Sequence, residues 1–138
     1  MRPATSHRPV RALVLARVLL GLQALGMAVP AVYLVLATSK DVSSPDKLTA
    51  ELAKVVAVLG FGLGVVALAV ALCAWKLAAG RGVRITTVVL ETLIAVVCLP
   101  QSLAAYDRPV PFAFPAMVFL ATAIALLVVF NLDVSGRR

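Results

Sequence analysis

Hydrophobic residues run in long unbroken stretches rather than in the alternation of a sheet. Four intervals separate consecutive charged positions, Val18 to Ser39, Val55 to Trp75, Ile85 to Tyr106 and Pro109 to Leu132, and only Glu91 interrupts one of them. Each exceeds twenty residues. An α-helix rises about 1.5 Å per residue, so roughly 20 residues cross a hydrocarbon layer about 30 Å thick. Unpaired backbone groups are too costly in hydrocarbon for anything but helices or closed barrels, and these runs far exceed the ~10 residues of a barrel strand. The pattern predicts an all-α fold, a four-transmembrane-helix bundle forming one domain over residues 1–138. Its expected spans are about 13–37, 53–77, 84–105 and 110–132.

Composition makes the bilayer the solvent: 62% of the 138 residues are hydrophobic and the mean hydropathy is +1.05. A net charge of +7 would suggest nucleic acid if the basic residues formed one patch with interleaved aromatics. They are instead scattered over the ends of the apolar runs, which excludes that reading. Short-loop Lys and Arg stay preferentially in the cytoplasm. Nine lie on one side (Arg2, Arg8, Arg11, Arg17, Lys76, Arg81, Arg84, Arg137, Arg138) and four on the other (Lys40, Lys47, Lys54, Arg108), where Asp41, Asp46, Glu51 and Asp107 partly offset them. Both termini are therefore expected in the cytoplasm of a cell whose plasma (inner) membrane holds this multi-pass chain. A basic start before an apolar run, with small residues at Ala28 to Ala31, also resembles a cleaved signal peptide. The run is longer than the usual ~7–15-residue signal core, so retention is expected.

The outer loop covers about residues 38–52 and contains Ser43-Ser44-Pro45-Asp46, a serine cap, a proline at the first helical position and an early acid, which together predict a helical start at 45. From Pro45 to Ala79 such a helix would be about 52 Å long, so its first turns should project outward or bend along the surface. Pro30 falls inside span 1, where it removes one backbone hydrogen bond. Pro100, Pro109, Pro111 and Pro115 are read as bracketing the outer connection and the start of span 4. Tyr33, Tyr106 and Trp75 fall near the membrane boundaries and are read as interfacial anchors. Gly60 and Gly64 form a GxxxG spacing that permits close helix approach, within the chain, between copies, or at a hinge.

Candidate chemistry is sparse. The one histidine, His7, lies in the N-terminal segment, and Cys73 and Cys98 are separated by about 15 Å along the membrane normal, too far for a disulfide within one chain. No metal, cofactor or catalytic constellation is visible, and an enzyme is not expected. Glu91 is the exception, because an ionised carboxylate inside a span is expensive unless paired, wetted or protonated. Helical spacing aligns Arg84, Thr87, Glu91, Ala95, Cys98 and Ser102 on one stripe that should point into the bundle. Gln23 in span 1 sits at nearly the depth of Glu91, with Arg17 about one and a half turns nearer the cytoplasm, so Glu91, Gln23, Thr87 and Arg17 form the expected intramembrane polar site. Three readings stay open for it: a structural clamp, an ion- or proton-coupling site, and a contact with another subunit.

Length, four spans and the basic inner turn Arg81 to Arg84 together resemble uncharacterised small four-span bacterial integral membrane proteins from alanine-, valine-, leucine- and arginine-rich proteomes. That resemblance implies a fold and no activity. Small multidrug transporters also use one membrane glutamate, but in their first span, where this chain has Gln23; the signatures of small fluoride channels are absent as well. The leading expectation is a non-enzymatic accessory or self-associating membrane subunit. Its partners would be the lipid bilayer and either a second copy or another membrane subunit. The alternative is a small proton- or cation-coupled transporter or channel using Glu91.

Overall fold

The computed structural model describes the backbone of residues 8–104 and 113–136 and the side chains of 11–103 and 114–132. His7, Tyr106, Asp107, Arg108, Pro109 and Pro111, the expected end of span 3 at 105 and the expected start of span 4 at 110 lie outside the described residues, as do Arg2, Arg137 and Arg138. Four long helices account for nearly all the rest: α1 (Arg8–Thr38), α2 (Lys47–Lys76), α3 (Arg81–Ala104) and α4 (Ala113–Gly136), with a single 3₁₀ turn at Asp41–Ser43. All four are long and apolar enough to cross a membrane, over Arg11–Ser43, Lys47–Lys76, Arg81–Leu103 and Phe114–Leu132. Helices α1 and α4 outrun their apolar intervals because backbone hydrogen bonding does not stop where the hydrocarbon does.

The start of α2 differs from expectation. The helix begins at Lys47, and its cap is Asp46 rather than a serine followed by Pro45 at the first position. The Asp46 carboxylate accepts from the Thr49 backbone N–H (3.2 Å) and from the Thr49 hydroxyl, while its carbonyl takes the first helical bond from Ala50 (3.0 Å). A carboxylate three residues before an N–H donor at the positive end of a helix is a stronger acceptor than the Ser44 hydroxyl, which instead accepts from the Asp46 N–H at 3.4 Å. Those Thr49 hydrogen bonds hold the Asp46 carboxyl below its ordinary pKa. Pro100 lies inside α3, which continues to Ala104.

Contacts divide the chain into two compact units, residues 22–71 and residues 1–21 with 72–138. The first is a hairpin of the later half of α1 and most of α2. The buried positions of α2 here are Ala53, Gly60, Ala67 and Val70, the first three small residues spaced seven apart, and α1 presents Ala31. Without a hydrophobic force between helices in lipid, close packing of small residues is what holds such a pair together. Gly60 is the tightest point: a Cβ there would lie 3.0 Å from Leu34 Cβ, 3.1 Å from Val35 Cγ2 and 3.2 Å from the Ala31 carbonyl oxygen. A Cβ at Gly64 would meet only Ala31 Cβ, at 3.8 Å. Beside this seam an open apolar groove of about 420 Å³ runs between Val35 and Leu36 of α1 and Phe61 and Val65 of α2.

The second unit contains the first turns of α1, the end of α2, and the packed pair α3 and α4. The eight residues joining α3 to α4 reach roughly 30 Å when extended, less than the ~36 Å of α3, so the two helices run antiparallel. Ala121, Ile124 and Val128 of α4 are completely buried, on one stripe at helical spacing. Hydroxyls on either side of the seam are satisfied locally: Thr92 and Thr122 face outward and donate to the carbonyls of Val88 and Val118, at 2.7 and 2.8 Å. Such back-bonding lets a hydroxyl sit against lipid without an unpaired donor.

Candidate functional site

Helix α3 is the most two-faced of the four. Its buried positions are Thr87, Glu91 and Ile94, flanked by half-buried Arg84, Ala95, Cys98 and Ser102, while Ile85, Val89, Leu93, Val96 and Val97 are exposed. The division follows from what each side chain costs in hydrocarbon. Aliphatic groups lose nothing by facing lipid, whereas a carboxylate or guanidinium there loses several kcal/mol of solvation. Glu91 and Thr87 are each 0% exposed. The Thr87 hydroxyl donates to the Val83 carbonyl at 2.8 Å and that of Ser102 to Cys98 at 2.8 Å, so both are held by their own helix. Glu91 and Arg84 each have an interaction partner.

Sequence reading missed Asn131. This residue of α4 is 5% exposed, and its amide donates weakly to the Leu127 carbonyl at 3.5 Å. The antiparallel hairpin brings the last turns of α4 alongside the first turns of α3, the level of Arg84 and Thr87. The available signal was an amide continuing the α4 stripe of Ala121, Ile124 and Val128. Its position beside Leu132, where the apolar run ends, makes it look like a boundary residue.

The other expected members lie on α1 and α2. Arg17 is exposed, and its guanidinium donates through Nη2 to the Trp75 carbonyl at 3.0 Å. That carbonyl is one of the last four of α2, which lack intrahelical donors and carry the negative end of the helix dipole, so Arg17 caps α2 from α1. Gln23 is 1% exposed and belongs to the unit of residues 22–71, whereas Thr87 and Glu91 belong to the other; it too has an interaction partner. Gly60 packs against α1 of its own chain, and Gly64 is half-buried at the edge of the groove. Cys73 is buried, Cys98 half-buried, and both are free thiols.

The arrangement holds a carboxylate, a hydroxyl and a guanidinium in register on one helix, with an amide on its neighbour. It can bind a proton or a hydrogen-bond partner at Glu91, and among the described residues no group of three or more His, Cys, Asp or Glu side chains converges to hold a metal ion. In comparisons with known proteins, no family model, no curated protein and no solved structure matches this chain.

Proposed function

We propose that this chain is a non-enzymatic multi-pass protein of the plasma (inner) membrane, with both termini cytoplasmic, that acts by helix packing as an accessory subunit or by self-association. One observation carries the reading. Only 17–28% of each span is buried within the chain, and the outward faces are aliphatic and aromatic, including Leu25, Leu59, Phe61, Leu103, Phe119 and Phe130. Within the spans Thr86, Thr92 and Thr122 bond to their own backbone and Gln23, Thr87 and Glu91 are buried, so apart from Gln101 near the end of α3 and the cations at the helix ends the outer surface offers apolar shape. In this reading Glu91 is a clamp that fixes the face α3 presents to its neighbours. The test is the mass of the particle released by mild solubilisation. A stoichiometric particle heavier than the 14.4 kDa chain is expected; a lone chain at native membrane density would overturn the proposal.

A second reading has its own support in the complete burial of Glu91, since an intramembrane carboxylate is the usual carrier in small coupled transporters and channels. Proton release on addition of a substrate to protein in liposomes, abolished in Glu91→Gln, would favour it.

A further inference from the structure

The charge excess is confined to one part of the chain. Residues 22–71 carry three lysines against three acids and are neutral, whereas residues 1–21 and 72–138 carry ten basic and three acidic residues and hold the whole +7. Within that part the described bases gather at helix ends. Arg11 and Arg17 stand in the first turns of α1, Lys76 ends α2, Arg81 opens α3, and Arg84 follows in the first turn. The turn between α2 and α3 is closed by the Ala79 N–H on the Lys76 carbonyl at 2.8 Å, which keeps Lys76 and Arg81 at one level. The Arg17 to Trp75 bond brings α1 to the same level. Arg11, Arg17, Lys76 and Arg81 are exposed, and so is Trp75, at 72%. Of the two acids on α3 and α4, Glu91 lies two turns deeper than Arg84 and is buried, and Asp133 stands near the end of α4.

Four exposed cations therefore crowd the boundary of the spans, where the solvent changes from hydrocarbon to headgroups. A phosphate diester at that depth neutralises them, and an indole ring prefers the same zone. Beside and below them Val14, Val18 and Leu72 expose apolar surface along which acyl chains can lie. We propose that this end of the molecule is a binding surface for anionic phospholipid, its phosphate held by Lys76, Arg81, Arg11 and Arg17 and its glycerol region against Trp75. The apolar surface continuous with the cations selects a lipid over a soluble phosphate.

The test uses the purified full chain in mild detergent, so that altered charges cannot change its insertion. Unfolding is followed with added phosphatidylglycerol, phosphatidylcholine of the same acyl chains, or glycerol phosphate. Phosphatidylglycerol should raise the unfolding midpoint well above phosphatidylcholine, the difference should shrink in 0.5 M salt (about a 4 Å screening length), and glycerol phosphate should do nothing. Neutralising one lysine or arginine should weaken apparent affinity about fivefold, and Lys76→Gln with Arg81→Gln about 25-fold. Lys47→Gln with Lys54→Gln, which removes as much charge from the neutral part, should leave it unchanged. If the Lys76 and Arg81 double variant does not fold, Arg11→Gln replaces it. Equal stabilisation by phosphatidylcholine, an equal loss in the Lys47 and Lys54 variant, or an equal effect of glycerol phosphate would each overturn the proposal.

Discussion

Replacing Gly60 with alanine adds one methyl group at the narrowest point of the α1–α2 seam. Its carbon would lie 3.0 Å from Leu34 Cβ and 3.2 Å from the Ala31 carbonyl oxygen, whereas unstrained carbon contacts sit at about 3.5–4.0 Å. The Ala31 oxygen is backbone and cannot rotate away, so the neighbours must give by a few tenths of an ångström. Overpacking of this kind costs about 1–3 kcal/mol, and the better helix propensity of alanine returns at most about 1 kcal/mol. Gly60→Ala should therefore be destabilising by about 1–2 kcal/mol. Gly64→Ala is the control: its methyl would make an ordinary 3.8 Å contact with Ala31 Cβ, so it should be neutral or stabilising by up to about 1 kcal/mol. Reversible unfolding in mixed micelles, read by far-ultraviolet dichroism, measures both. Coincident curves for the two variants would refute the account of this seam, as would a stabilised Gly60→Ala.

Three further outcomes follow from particular residues. In a background lacking Cys73 and Cys98, an impermeant thiol reagent should label a cysteine at position 44 from outside the cell and one at position 81 only after permeabilisation; the reverse would invert the proposed topology. Because Thr49 bonds hold the Asp46 pKa below its ordinary value, the Asp46 cap is fully present above the usual carboxylate range and is lost as pH falls through the lowered folded value. The Thr49 amide resonance should accordingly shift only in that acid range, in Asp46→Asn not at all, and a transition at or above the ordinary carboxylate pKa would contradict the cap. Arg17→Gln removes the charge that meets the end of α2 and should lower stability by a few tenths to about 1 kcal/mol, with Arg17→Lys intermediate; equal stability of all three would show that the contact is idle.

The spans were legible because length and hydropathy are summed over twenty residues, so no single position decides them. The polar stripe of α3 was legible for a related reason: Arg84, Thr87 and Glu91 recur at helical spacing among aliphatic residues that have no reason to avoid lipid. Smaller decisions went unread where competing groups differ by little energy. Ser43, Ser44 and Asp46 all offer a cap to α2, and only geometry shows that the carboxylate wins. The seven-residue repeat Ala53, Gly60, Ala67 is hidden in a chain where alanine is everywhere, so the eye goes to the rarer glycines. The partner of Arg17 is a backbone carbonyl 58 residues away, and a backbone acceptor leaves no mark in the sequence.

The central claim is that Glu91 acts by its hydrogen bonding and not by exchanging a proton. It is tested most directly by comparing wild type, Glu91→Gln and Glu91→Leu reconstituted in liposomes, with unfolding and transmembrane proton movement measured on the same preparations. The amide keeps the shape and most of the bonding capacity of the carboxyl, so Glu91→Gln should unfold within about 1 kcal/mol of wild type. The Leu variant strands its former partner and should lose about 1–3 kcal/mol. None of the three should move protons. A wild type that carries a proton flux, lost in a fully folded Glu91→Gln protein, would contradict the claim.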